Sequence, residues 1–469
     1  MKKNSIFQNN IPLIKATIFS ISSIFGIIIT LYLQFNFTES LWLFISLLFL
    51  SIGISGESKK YQAIFLAKFS ISGIILILIG YYLELYLGNN IIYYYFSIFI
   101  VIFISFILLE KISQIKNVSH LLIYLMLLAG RNFSDLYILA YVLPYLLGAI
   151  LLWFTVLLLP KFSFPYKHKE FNKEELIRFF RVSLAVIIVL FISNYFHLFN
   201  PTWSALTVLV ISQGTLGETI KKSMYRLSGT FFGIIVGIFA SIYIFEPYEY
   251  SRFLILVLFF FGILSIQRSY TQSIFLFTIG LCGLSFLVFN TSEQFIEFIF
   301  GRFIDTLLGI LVLIFLELTI FPYSVIKETR KFRKQYWSII HDLFLNGQIE
   351  SVENNLLKAN DILDNTLSIL KEYRYEPISL FNKNYKYQRE YFAQVKRINK
   401  IINKQYSEYL ENNEIKEYII YISDFFSKIN LQTVSKNDFD DMMPIPNDLK
   451  GSDLENAIEK IVLVYEYFL

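Results

Sequence analysis

Two stretches of this chain, residues 91–109 and 136–159, run for about the length of a bilayer core without a single charged side chain. An apolar segment of that length has one main physical use, because only in lipid does a helix expose such a surface on every side. Similar runs recur along the first two thirds of the sequence, at 11–33, 40–55, 62–87, 118–130, 179–197, 203–216, 226–245, 252–266, 273–289 and 299–321. The reading is therefore an all-α polytopic membrane protein with twelve transmembrane helices. The composition agrees, with 55% hydrophobic residues and a mean hydropathy of +0.54. The first residues, MKKNSIFQNNIPLIK, carry no small-residue cleavage site after an apolar run, so they read as a lead-in to the first span.

The charges give the orientation. Taking the N-terminus as cytoplasmic, the inner loops collect Lys2 and Lys3, Lys59 and Lys60, Lys111 and Lys116, Lys161 to Lys173, Lys221 and Lys222, Arg268, and the basic cluster from Lys327 to Lys334. The outer loops hold Glu39, Asp135, Glu246, Glu249, Glu293 and Glu297, with only Arg131, Arg252 and Arg302 as cations. This alternation follows the positive-inside rule and places both termini on the cytoplasmic side of an inner (plasma) membrane. The single cysteine, Cys282, lies in an apolar run, which leaves no intrachain disulfide and no thiolate metal cluster.

An internal repeat divides the membrane part. Trp42 and Trp203 are 161 residues apart, as are Gly56 and Gly217, Glu57 and Glu218, and Gly148 and Gly309. Lys59-Lys60 and Lys221-Lys222 are 162 apart, as are Pro160 and Pro322. The domain reading follows: a six-span copy at 1–160, a linker at 161–177, a second copy at 178–322, and a helical domain at 323–469. Six is even, so the two copies run parallel, related by an axis along the membrane normal. Beyond residue 322 the apolar residues recur at three and four, as in IIHDLFL and YIIYISDFF, which predicts a cytoplasmic bundle of amphipathic helices. Ser452 before LENAIEKIVLVYEYF reads as a helix N-cap.

The stretch with most chemical content is NPTWSALTVLVISQGTLGETIKKSMYRLSGTFFGIIVG, residues 200–237. Its Gly229, Gly233 and Gly237 lie on one helix face and permit close packing of a neighbour, and Gly309 recurs in the last span. The spans at 42–55 and 203–216 are short for a ~30 Å core and stand in corresponding places of the two copies, the best sequence pointer to a transport site. Thr207, Gln213 and Trp203 on the second of them are candidate lining residues. Arg226 could grip a carboxylate with two parallel hydrogen bonds, or could reach the phosphate headgroups. Arg302 and Asp305, three apart in GRFIDTLLG, are a candidate proton-coupling or gating pair, or a structural ion pair. Asp305 should face the interior, paired with Arg302 or a proton. Glu218 closes a capping box with Thr215, the plainer reading beside a coupling role. Glu317 could approach Arg226.

The segments PTWSALTV, GET and RLSGTFFG, with RFIDTLLG in the final span, resemble the fusaric-acid-resistance-like (FUSC) family of membrane transporters, which includes aromatic acid exporters. The resemblance is clearest over residues 178–322. It implies a proton-driven exporter of small organic, aromatic carboxylate anions, with Arg226 in the Arg-x-x-Gly signature and Arg302 and Asp305 in the final-span motif. It also raises a periplasmic adaptor and self-association as partners to test. The chain departs from the family in its single terminal soluble domain, its short linker, and a first copy without Arg-x-x-Gly. A passive organic-anion channel, similar to plant malate channels, and a membrane scaffold acting through its C-terminal domain are the alternatives. No nucleotide-binding loop, metal spacing, cofactor motif, nucleic-acid signature or catalytic constellation is present, so the chain does not read as an enzyme.

Overall fold

A computed structural model describes residues 11–33, 43–44, 46–48, 50–52, 54, 58–88, 90–112, 139–159, 173–198, 201–212, 215–245, 251–266, 268–288, 292–320, 325–346, 352–373, 384–428, 445–450 and 452–466. All regular structure among them is helical. The chain divides into two compact units, one of residues 1–214 with 222–321, the other of 215–221 with 322–469.

The first unit contains α1 (Ile11–Leu33), a helical stretch within 43–52, α2 (Lys59–Leu87), α3 (Ile91–Ile112), α4 (Leu139–Leu158), α5 (Lys173–Tyr195) and α6 (Pro201–Ile211). It continues with α7 (Leu216–Ala240, whose first turn falls in the other unit), a π-helical turn Ser241–Phe245, α8 (Ser251–Ser265), α9 (Tyr270–Val288) and α10 (Ser292–Thr319). Five of these are long and apolar enough to cross a membrane, beginning at Ile11, Lys59, Glu175, Leu216 and Glu293, and shorter apolar helices occupy 91–107, 142–158, 253–265 and 270–286. The run expected at 118–130 lies outside the described residues, as does Gln213.

Local sequence sets the helix ends. Pro201 opens α6 where its missing N–H costs nothing. Ser269 accepts a hydrogen bond from the Gln272 backbone N–H at the start of α9. α5 stops in a Schellman turn, with the His197 N–H donating to the Asn194 carbonyl and the Leu198 N–H to the Ser193 carbonyl. That turn puts exposed His197 in the left-handed region at φ 49°, a position glycine fills with less strain.

The outer surface of this unit is apolar, and the interior sets buried polar groups within an apolar core. On α10, Phe300, Ile304, Leu311 and Phe315 are exposed, whereas Arg302, Asp305, Leu313 and Glu317 on the opposite side are buried. Such a surface is solvated by lipid rather than water, and the chain is a multi-pass membrane protein.

Within the unit α1 packs on α4 and α5 packs on α10. α3 lies on α5 and α8 lies on α1. Rings fill both junctions: Phe106 meets Phe179 at 5.4 Å and Tyr95 meets Phe191 at 6.0 Å on one side, and Phe44 meets Phe259 at 4.8 Å on the other. The Asn194 amide also donates to the Tyr95 hydroxyl. Gly148 sits against the Ser46 side chain and the Leu43 carbonyl, and Gly309 against the Thr207 side chain and the Ser204 carbonyl. Each residue of the second trio stands 161 positions after its counterpart.

The second unit contains α11 (Val325–Asn346), α12 (Val352–Tyr373), α13 (Asn384–Glu411), α14 (Asn413–Lys428), a 3-10 turn Asn447–Leu449 and α15 (Asp453–Glu466). Their apolar faces share a core that includes Trp337, Ile340, Phe344, Val395, Ile419 and Ile458. Two polar pairs lie within it: the Trp337 indole donates to the Tyr391 hydroxyl at 2.8 Å, and the Asn399 amide donates to the Asn360 carbonyl oxygen at 2.7 Å. Ser452 caps α15, accepting from the Glu455 N–H at 3.1 Å. Burial pushes the Tyr418 phenol up to about 12, helped by Glu455, Tyr421 and Glu459.

Candidate functional site

Of the side chains singled out in the sequence, Trp203, Thr207, Arg302 and Asp305 come together where α6 meets α10, and Arg226 lies where α7 meets α9. α6 is only 11 residues long, about 16 Å at 1.5 Å per residue, and residues 204–209 are all buried. A helix this short is enclosed by α5 and α10 on either side. The close approach of α10 depends on Gly309, because a Cβ there would lie 2.5 Å from the Ser204 carbonyl oxygen.

That approach brings Asp305 onto α6. The Ser204 hydroxyl donates to Asp305 Oδ1 at 2.7 Å, and the Ser193 hydroxyl of α5 lies 3.3 Å from the Ser204 oxygen. Asp305 is 1% exposed, so its carboxylate does face the interior. Arg302, one turn before it, lays its guanidinium over the Trp203 ring at 4.4 Å from the ring centre. A cation over the face of an indole is held by the ring quadrupole, so Trp203 braces Arg302. Thr207 bonds back to the Trp203 carbonyl at 3.0 Å and packs against Gly309, a helix-packing role.

The glycine face of α7 docks on α9. Cβ atoms at Gly229, Gly233 and Gly237 would meet the Thr271 carbonyl at 2.8 Å, Thr278 Cβ at 2.7 Å and Cys282 Sγ at 2.7 Å. Phe231 of α7 also meets Phe303 of α10, 6.0 Å between ring centres. This docking brings Arg226 to Tyr270: its Nη1 donates to the phenol oxygen at 3.4 Å, and Lys222 lies over the same ring at 5.2 Å. Arg226 is only 7% exposed, so its guanidinium is turned into the protein and not toward headgroups. Arg302 and Arg226 are close enough for their charges to act on each other, and Asp305 acts on Arg302 with opposite sign.

Two expectations resolve differently. The Glu317 carboxylate acts on Arg181 of α5, the cation its sequence position did not suggest. At the start of α7 the Glu218 backbone N–H donates to Thr215 Oγ1 at 3.2 Å, which is the capping geometry and sits in the second unit. Ser204, Ser193 and Tyr270 escaped sequence reading. Ser204 lies inside PTWSALTV beside two residues that drew attention, but Tyr270 is 44 positions from Arg226 and no local spacing links them. Among the described residues no group of three or more His, Cys, Asp or Glu could hold a metal ion.

All the residues of this convergence lie in one continuous segment. Residues 184–316 match the family described as fusaric acid resistance protein-like. The match covers Ser193, Trp203, Ser204, Arg226, Tyr270, Arg302, Asp305 and Gly309, and it bears out the resemblance read from PTWSALTV and RLSGTFFG. No curated protein matches the chain. Arg181 and Glu317 fall just outside the fusaric acid resistance protein-like segment. Phe65 stands 161 positions before Arg226, and Pro144 stands 161 before Asp305.

Proposed function

We propose that this protein is an inner-membrane secondary transporter that exports small organic carboxylates, aromatic acids among them, at the expense of the proton gradient. The observation that carries the reading is Arg226. A guanidinium buried at a helix junction of a membrane protein, held by one long hydrogen bond to Tyr270, is costly unless it serves an anion. A carboxylate arriving there gains two charge-assisted hydrogen bonds, while Tyr270 keeps the guanidinium oriented. Asp305, which accepts from the Ser204 hydroxyl of α6, exchanges a proton in this reading as α6 and α10 move.

In this reading residues 1–160 and 178–322 are parallel six-span copies that rock about α6 and its counterpart within 43–52. The matched Gly148 and Gly309 contacts and the matched α3–α5 and α8–α1 junctions support the repeat. Both termini are cytoplasmic, and residues 323–469 form a cytoplasmic helical domain. An adaptor beyond the membrane and self-association would be assembly partners, not parts of the anion site.

Uptake of labelled benzoate and succinate into inverted vesicles tests the reading. Saturable accumulation that needs an imposed proton gradient, and falls about tenfold in Arg226→Gln, is the expected result. Flux that only follows the anion's own gradient establishes a channel instead, and an unchanged rate in Arg226→Gln removes Arg226 from the site.

A further inference from the structure

By sequence Lys222 is an inner-loop charge; in the structure it lies on the same ring as Arg226. The two stand one helical turn apart on α7, about 6 Å along a single face. Like charges at that spacing repel. Tyr270 of α9 meets both: the Lys222 ammonium lies over the ring face at 5.2 Å from its centre, and Arg226 Nη1 donates to the phenol oxygen at 3.4 Å. The negative face of the ring answers one cation and the oxygen lone pair the other, so one side chain holds both. Their depths differ. Lys222 is half-buried, whereas Arg226 is 7% exposed and its Nε has no acceptor among the described residues. Tyr270 takes Nη1, and Nε lies on the other edge of the guanidinium, where two parallel N–H groups suit a carboxylate.

We infer that Lys222 captures the anion before Arg226 binds it, the two forming successive stations on one face of α7. This rests on the transport reading above and adds the step that feeds its site. An ammonium at a partly exposed position, on a flexible stem, draws an approaching anion and releases it readily, because water and salt screen the pair. A guanidinium shielded from water holds the same anion more firmly, since the attraction grows as the dielectric falls. Passage from Lys222 to Arg226 therefore runs toward tighter binding over about 6 Å, and Tyr270 spans the gap. Glu218 stands four positions before Lys222, the spacing at which a carboxylate opposes the pull of an ammonium on an anion.

Initial rates of labelled benzoate uptake into inverted vesicles, under a fixed proton gradient and normalised to transporter content, test the order of the two steps. Lys222→Gln should raise KM about three- to tenfold with kcat within about twofold of wild type, and Lys222→Arg should restore KM. In wild type and Lys222→Arg, kcat/KM should fall as salt rises from about 20 to about 300 mM, and it should fall much less in Lys222→Gln. Glu218→Gln should lower KM, which keeps the test open should Lys222→Gln fail to insert. Arg226→Gln, by contrast, should lower kcat as well as kcat/KM. An unchanged KM and salt dependence in Lys222→Gln overturns capture and leaves a transporter built on Arg226 intact. A fall in kcat equal to that in kcat/KM also overturns it, because Lys222 then acts after binding, as does a KM that rises in Glu218→Gln. If wild-type vesicles take up no benzoate, the transport reading falls and capture falls with it.

Discussion

Gly309→Ala and Gly148→Ala add the same methyl group at positions 161 residues apart, and the structure predicts unequal costs. At Gly309 the new Cβ would lie 2.5 Å from the Ser204 carbonyl oxygen and 3.0 Å from Thr207 Cβ. Main chain in the enclosed helix α6 cannot rotate aside, so α6 and α10 must part by about 0.5 Å to restore even a tight contact. Ser204 also holds Asp305 at 2.7 Å, so the same movement stretches that bond toward about 3.2 Å, the outer limit of a useful one. Overpacking costs about 1–3 kcal/mol, and weakening a hydrogen bond to a carboxylate adds about 1 kcal/mol, giving about 2–4 kcal/mol in all. At Gly148 the nearest obstacle is the Ser46 hydroxyl, the end of a rotatable side chain, and the Leu43 carbonyl is 3.3 Å away. Rotating Ser46 gives up its 2.7 Å bond to Leu43, about 1 kcal/mol. The only cysteine, Cys282, is buried, so a thiol-reactive fluorophore reports unfolding of this unit directly. In detergent at one scan rate, Gly309→Ala should melt about 4–8 °C below wild type and Gly148→Ala about 2 °C below. Equal shifts, or a larger loss at Gly148, would refute the claim that α6 main chain sets the limit.

Ser204→Ala removes the donor to Asp305 and should cost about 1.5–3 kcal/mol in the same melting assay, whereas Ser204→Thr should retain most of it. His197→Gly relieves the left-handed turn after α5 and should raise the melting temperature slightly, by about 0.5–1 kcal/mol of stability. In the second unit, Trp337→Phe removes the indole donor to the Tyr391 hydroxyl and some buried ring area, and should destabilise that core by about 1–2 kcal/mol, read by circular dichroism. Tyr418 holds its proton more tightly folded than unfolded, so its contribution is complete below about pH 10 and is lost as pH rises toward 12. Tyr418→Phe should flatten that alkaline loss, which tyrosinate absorbance against pH would show.

Helix positions in the membrane unit were legible because the rule that produces them is local. A backbone in lipid must satisfy its own hydrogen bonds, so every long uncharged run becomes a helix, and α1, α3, α4 and α10 lie where the runs lie. The glycine face of α7, the cap at Ser452 and the inward turn of Asp305 were legible for the same reason, since each follows from spacing along one helix. Partners were not. That Arg226 meets Tyr270, that Arg302 lies over Trp203, and that Glu317 acts on Arg181 depend on which helix faces come together. Spacing offered Trp203 as a lining residue and did not show that its ring braces Arg302; Arg302 and Asp305 looked like a pair, and the structure gives each an additional partner on α6. Sequence spacing fixes where a charge sits on its own helix, because 3.6 residues per turn allow no other choice. Its neighbour is chosen by close packing at Gly229, Gly233, Gly237 and Gly309, and only the tertiary structure decides that.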